Sequence, residues 1–391
     1  MALADRWLLP EGIQELLPAQ ARRVEVIRRR LLDLYEQWGY DLVMTPVMEH
    51  LESLLTGVGR DLDLSTVKVT DQLSGHTLGV RADITPQVAR IDAHRLREEG
   101  VTRLCYCGTV VHALPTQPLA SRNPLQLGAE LYGHSGIESD VEVISLMIET
   151  LQNAGVDQEL SLDLGHVDVF SGLMQLAGLT ADQQEQYQDI LKRKALPELV
   201  DFVAELDVDD SVKRYLAELP TMNGGVEVLD RAESLFAQAP VQVAEAIAYL
   251  RDVSARIALR FPELDQYFDL SELRGYNYHT GIVFAAYTPS YGQAIAKGGR
   301  YDDIGRDFGR ARPATGFSTD MKTLVELSSL ILEEIQHVVA PVSEDAALLA
   351  KVKQLRAEGG RVVYALPDAV LSSESAAQLV QRDGEWVVTG L

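Results

Sequence analysis

Gln126 and Glu130 stand four residues apart in an alternating run, 125–132, and on a β-strand that spacing turns both side chains to one face. Other candidates for chemistry are sparse. A phosphate site needs bare backbone N–H groups, yet the sequence holds no G-x-x-x-x-G-K-[ST] loop and no dinucleotide fingerprint behind a strand. Its nearest glycine pair, Gly298-Gly299-Arg300-Tyr301, is expected to form a tight turn. His166 lies close to Asp163 and Asp168, but with no catalytic context it is expected on a surface turn. Cys105 and Cys107 share a strand face, and two neighbouring thiols cannot complete a zinc shell. They are expected to be reduced packing residues. No His/Cys/Asp cluster has metal-ligand spacing and no G-x-S-x-G elbow exists, so neither a metal nor a cofactor is expected.

The elements around these residues follow from hydrophobic periodicity. Val24, Ile27, Leu31, Leu34, Tyr35 and Trp38 recur at helical spacing over 20–38, with arginines on the wet side and Gly39 as the stop. Short strands are expected at 40–46 and 76–80, the second leading through Arg81-Ala82-Asp83-Ile84-Thr85-Pro86 into a helix. Runs 103–111 and 125–132 form an antiparallel pair, because Pro115, Pro118 and Pro124 exclude a central strand between them. A helix at 140–154 and a strand at 159–164 follow. Over 166–262 the pattern is helical without strands, an insertion in a β-rich domain. Strands return at 268–270, 281–286 and 294–297, and an apolar helix over 321–335 closes the core. The tail, 340–391, is expected as a small α/β unit: a helix capped by Ser343 and ending at Gly359-Gly360, a strand at 361–366, a helix at 373–382 and a strand at 386–389. The domains are therefore 1–335 and 340–391.

The 391 residues leave ample chain for a large core, and a 46% hydrophobic, 24% charged composition excludes a disordered or fibrous protein. No apolar run approaches 18 residues and the first residues lack a basic, then apolar, leader, so the expected address is the cytoplasm, with no membrane partner. Thirty-five basic against 58 acidic side chains give a net charge of −23, which opposes a phosphate backbone at long range. From Glu333 onward five basic residues face nine acidic ones, so the tail offers no nucleic-acid surface either. No nucleic-acid partner is expected.

Five segments in order change the reading. Pro46, Arg81-Ala82-Asp83-Ile84-Thr85, Gln126-Leu127-Gly128-Ala129-Glu130, Leu273-Arg274-Gly275-Tyr276-Asn277-Tyr278-His279-Thr280-Gly281 and Gly298-Gly299-Arg300-Tyr301-Asp302 together resemble the class II histidyl-tRNA synthetase core. The resemblance implies an α+β fold, an antiparallel sheet flanked by helices with a helical insertion. By the same resemblance Gln126 and Glu130, assisted by Asp83 and Thr85, would accept an α-ammonium group. Arg274 would meet a carboxylate or carbonyl oxygen, and Tyr278 and Tyr301 would line the side-chain end. His279 stands where the synthetases have a second tyrosine.

The departures direct the functional expectation. Where the family's second motif has an ATP-holding arginine and a glutamate, this sequence has His112 and Leu114; where the third motif has an arginine on the adenine and γ-phosphate, it has Thr323. Each arginine would supply charge-assisted bonds of about 1.5–3 kcal/mol, and adenylation develops its charge on phosphorus. Lys322 points about 100° away on a helix, and Arg122 is the other cation near enough to stand in. Without those arginines no adenylation is expected. A synthetase-like core, lost ATP arginines and a short non-basic tail are together similar to the ATP phosphoribosyltransferase regulatory subunit family. That resemblance implies a non-catalytic chain that activates a short-form catalytic subunit within a hetero-octamer. It also implies self-dimerisation through the motif around Pro46 and feedback inhibition with histidine as effector. A stand-alone amino-acid-binding accessory protein and an active histidine-tRNA ligase are the alternatives.

Overall fold

The computed structural model describes residues 7–56, 60–115, 120–156, 158–272, 278–332, 337–368, 370 and 375–390. The chain forms two compact units, residues 1–330 and 331–391. In the first, helix α1 (Pro18–Gln37) buries Val24, Ile27, Leu31 and Tyr35 along one stripe. It stops because Gly39 takes φ +80°, letting Gly39 N–H reach the Glu36 carbonyl at 2.9 Å and Tyr40 N–H the Tyr35 carbonyl at 2.9 Å.

The centre is a nine-stranded sheet. In chain order its strands are β1 (Asp41–Leu42), β2 (Thr102–Thr109), β3 (Leu125–Tyr132), β4 (Ser161–His166), β5 (Asn223–Gly224), β6 (Asp265–Asp269), β7 (Ile282–Thr288), β8 (Tyr291–Arg300) and β9 (Ala314–Asp320). Across the sheet they run β1-β2-β3-β9-β8-β7-β4-β6-β5. Pairing is antiparallel except for β1 with β2 and β4 with β6. This is the expected α+β, synthetase-like antiparallel sheet, with parallel pairs near its two ends. A side sheet of Met48–His50, Thr77–Val80 and Val67–Thr70 leads into α2 (Thr85–Arg90).

The two faces of the large sheet have different work. Leu127, Ala129, Leu131, Leu162, Leu164, Phe284, Ala286 and Phe317 point into a core shared with α1, with α3 (Ile137–Asn153) and with the insertion, whose last helix is α4 (Val241–Arg260). The alternate residues form the other face. One row across it reads Leu104, Glu130, Gly316, Gly299, Val283, Gly165. Its neighbour reads Tyr106, Gly128, Ser318, Lys297, Ala285, Asp163, Tyr267. Small residues therefore floor the middle of that face, and large polar side chains rise beside them.

Several local expectations are corrected. The insertion is not free of strand, because Asn223–Gly224 pairs antiparallel with β6. The helix after β9, α5, covers only Met321–Leu327. Arg23 takes the Ser328 carbonyl at 2.5 Å and Ser329 N–H turns to the Gly155 carbonyl at 2.8 Å, which peels the chain out of the helix; 333–336 lie outside the described residues.

In the second unit the expected 373–382 helix is the strand Ser375–Arg382. Asp383 at φ 50° and Gly384 at φ 84° form a two-residue turn that folds it against Glu385–Gly390, and that hairpin overrides the helical pattern. The helix Ala346–Ala357 packs Leu348 and Val352 against Ala340, Val362 and Leu379, and its N-cap is Asp345, which accepts from Ala347 N–H at 2.9 Å, not Ser343.

Candidate functional site

Glu130 is 1% exposed, in the middle of β3 on the face away from the main core. Thr85, at the start of α2, donates to its Oε1 at 2.9 Å, and Tyr106 from β2 donates to the same oxygen at 3.1 Å. Tyr301, just beyond β8, donates to Oε2 and lies 3.4 Å from the Tyr132 hydroxyl. Burial pushes the Glu130 carboxyl up to about 8; the three hydroxyls act against that shift and the nearby Asp83 carboxylate adds to it. Burial likewise raises Tyr106, Tyr132 and Tyr301 well above the usual phenol range.

Two glycines make this packing possible. A Cβ built on Gly316, directly across from Glu130, would lie 1.5 Å from the carboxylate Oε2, and one on Gly128 would lie 2.4 Å from the Tyr106 hydroxyl. Gly299 does the same for His279, whose Cδ2 would meet its Cβ at 2.6 Å, so the imidazole rests on bare backbone. Gly128 and Gly299 thus leave room for the Tyr106 and His279 side chains, and Gly299 lies within β8 rather than in a tight turn.

Gln126 bridges the loop before α2: its Nε2 donates to Asp83 Oδ1 at 2.8 Å and its Oε1 accepts from Ile84 N–H at 2.9 Å. Asp83 also accepts from Thr85 N–H at 3.0 Å. Tyr278 stacks on Tyr301 with centroids 5.2 Å apart and meets His279 edge-on at 5.4 Å. Its hydroxyl oxygen is shut off from solvent without a hydrogen-bond partner among the described residues. Asp83, Thr85, Gln126, Glu130, Tyr278, His279 and Tyr301 are therefore gathered around one stretch of the sheet face. Arg274 lies outside the described residues.

Tyr106 and Tyr132 were not among the expected site residues. Alternation along 103–111 turns Tyr106 away from Cys105 and Cys107, a usable signal, but only the β2–β3 register brings its hydroxyl to Glu130. The cysteines face the main core, where burial pushes Cys105 up to about 12 and Cys107 to about 11, leaving both as poorly reactive thiols. His166 is not on a surface turn. Its Nδ1 caps the helix Val167–Ala177 by accepting Asp168 N–H at 3.2 Å, and its ring, edge-on to Tyr249 at 5.6 Å, is 10% exposed.

His112 and Thr323, the positions expected to stand where the synthetases carry arginines, are each hydrogen-bonded within this unit. His112 Nε2 is 3.1 Å from the Ala82 carbonyl, and burial lowers its pKa. Leu114 is 70% exposed. Thr323 donates to Asp320 at 3.5 Å, and the other Asp320 oxygen accepts the N–H groups of Leu125 and Lys322 at 2.9 and 3.1 Å.

Arg122 and Lys322, the two cations weighed from the sequence as stand-ins, are engaged elsewhere. Arg122 donates to the carbonyls of His112 at 2.9 Å and Glu11 at 3.0 Å, its stem lying under Gly12. Lys322 Nζ donates to the Asn123 carbonyl at 2.7 Å. Asn123 in turn pairs with Gln14 in both directions, each at 2.9 Å, so the N-terminal segment is clasped over this end of the site.

Comparison with known proteins finds similarity along almost the whole chain. Residues 12–324 match the family described as Histidyl-tRNA synthetase, and residues 336–389 match the ATP phosphoribosyltransferase subunit HisZ C-terminal domain. The ATP phosphoribosyltransferase regulatory subunit of Stutzerimonas stutzeri is 52% identical over 398 residues, and that of Azotobacter vinelandii 54% over 397, with 100% of each chain covered. Among solved structures, an ATP phosphoribosyltransferase regulatory subunit/histidyl-tRNA synthetase from Bacillus halodurans superimposes with TM-score 0.80 at 28% identity, over 94% of both chains. A histidyl-tRNA synthetase from Nostoc shares the fold at TM-score 0.78 and 18% identity, over 98% of this chain and 97% of that one.

Proposed function

The chain belongs to the ATP phosphoribosyltransferase regulatory subunit family, built on a histidyl-tRNA synthetase-like core, and from that premise we propose that it activates a short-form catalytic subunit and makes it sensitive to histidine. It is a regulatory chain of that enzyme and not itself catalytic. One observation carries the proposal: the two ends of the site differ in kind. At the nucleotide end His112 and Thr323 replace the arginines, and Arg122 and Lys322 are spent on backbone carbonyls. At the amino-acid end Asp83, Gln126 and Glu130 remain together beside Tyr278 and Tyr301. Such a site suits holding an amino acid without adenylating it.

In this reading histidine sets its ammonium against Glu130, Gln126 and Asp83, with its ring toward Tyr278, His279 and Tyr301. Binding favours one quaternary state of a hetero-octamer with the catalytic subunit, and a coupling of about 1–3 kcal/mol suffices for feedback. Two copies of this chain pair through the segment around Pro46, where Leu42, Met44, Val47 and Met48 are 43%, 84%, 51% and 50% exposed and give the proposed contact an apolar centre. The assembly is cytoplasmic. The test is to mix the purified chain with a short-form catalytic subunit. Co-elution with raised phosphoribosyltransferase activity is expected; separate elution without activation contradicts the proposal.

A further inference from the structure

Glu130 is a buried carboxyl bonded to hydroxyls rather than to a cation. Among the described residues the groups facing it are Asp83 and Thr85 at α2, Tyr106 on β2, Tyr132 on its own strand, Tyr301 after β8, and Tyr278 with His279 stacked behind Tyr301. Among the described residues no lysine or arginine bonds to it. An isolated carboxylate so enclosed is costly and takes up a proton instead.

The hydroxyl geometry suits that neutral acid. Protonated at Oε2, it can donate to the Tyr301 oxygen, and Tyr301 can pass its own hydrogen to the Tyr132 oxygen 3.4 Å away. Oε1 continues to accept from Thr85 at 2.9 Å and Tyr106 at 3.1 Å.

We infer that Glu130 is a proton-coupled receptor for a primary ammonium group: it is a neutral acid while the site is empty and releases its proton to solvent when the ammonium of an amino-acid effector comes against it. The inference deepens the effector reading above and rests on it. The step balances: the neutral Glu130 carboxylic acid and the effector's ammonium give a Glu130 carboxylate paired with that same ammonium, plus one proton taken up by buffer. Only the carboxyl O–H bond breaks, its electron pair stays on the carboxylate oxygen, and nothing is oxidised or reduced. The new ion pair replaces the proton as the charge that makes a buried carboxylate tolerable.

Two consequences are measurable. With the carboxyl raised to about 8, histidine binding near pH 7.5 releases a measurable fraction of a proton. Below that range affinity weakens by up to about tenfold per pH unit, because the proton competes with the ammonium.

Calorimetry of the full chain with its catalytic partner, titrating histidine at about pH 7.5 in phosphate and in Tris, reads the proton from the difference in heat. At this pH the free imidazole is mostly neutral and contributes little. An infrared difference spectrum supplies a second measurement in the unaltered protein: the protonated-carboxyl band is expected to vanish on histidine addition, and to be missing from the Glu130→Gln variant throughout. Buffer-dependent heat with loss of that band is the expected result. Histidine binding with buffer-independent heat and an unchanged carboxyl band overturns the proton coupling and leaves the effector site standing. No binding in either buffer, with the partner present, overturns both.

Discussion

Glu130 and Gly316 oppose each other across the β3–β9 pair so closely that a Cβ on residue 316 would sit 1.5 Å from the carboxylate. The site exists because that strand position is bare backbone. Gly316→Ala is therefore expected to push Glu130 out of its hydroxyl cradle. Histidine affinity should fall at least about tenfold, a loss of about 1.4 kcal/mol, with the far-UV circular dichroism unchanged. Wild-type affinity in a folded variant would show that the carboxyl does not need this space.

The same carboxyl leaves a signature in stability against pH. Its pKa is about 8 when folded and near 4.5 when exposed. Between those values the folded state holds the extra proton, so stability falls as pH rises. The contribution is fully present below about 4.5 and lost as pH passes about 8. Urea unfolding of wild type and Glu130→Gln from pH 5 to 8.5 is expected to converge on a smaller wild-type advantage at high pH. A constant difference across the range contradicts a raised carboxyl pKa.

Arg300 and Asp140, 6% and 0% exposed, join β8 to α3 through a 3.0 Å ion pair. Tyr249 from α4 bonds to the same carboxylate, which ties the insertion to the strand that ends one residue before Tyr301. Asp140→Ala strands a buried guanidinium and is expected to cost about 3–5 kcal/mol in urea unfolding. Loss of less than about 1 kcal/mol would mean that the Asp302 side chain and the His134 and Gly136 carbonyls around Arg300 suffice.

Arg122 holds the N-terminal segment rather than a phosphate. Arg122→Ala removes its bonds to Glu11 and His112 and the stem beneath Gly12. Amide exchange at Ile13 and Gln14 is expected to accelerate, while co-elution with the catalytic subunit persists. Unchanged exchange would show that the Gln14–Asn123 pair and the backbone bond from residue 122 N–H to the Gly12 carbonyl suffice as a clasp.

Much of this architecture was legible from local pattern. The α1 stripe and its Gly39 stop needed only helical periodicity, and the β2–β3 pair needed only alternation around a proline-rich gap. The fold class followed from motif order. What escaped was set at long range or by a short, strong turn. Ala314–Asp320 carries too many small residues to announce a strand, yet it fills the centre of the sheet between β3 and β8. Asp383-Gly384 outweighs the helical appearance of the residues before it. Tyr106 and Gly316 reach Glu130 through cross-strand register, and Gly316 does so from 186 positions away, a relation no local window contains.

The most direct measurement is phosphoribosyltransferase activity of a purified short-form catalytic subunit, without and with this chain, titrated with histidine. Activation on adding the chain is expected, together with histidine inhibition that the catalytic subunit lacks alone and that Glu130→Ala weakens while the complex still co-elutes. Activation with histidine inhibition untouched by Glu130→Ala would place the effector site elsewhere. The absence of both activation and acquired inhibition would contradict the regulatory reading itself.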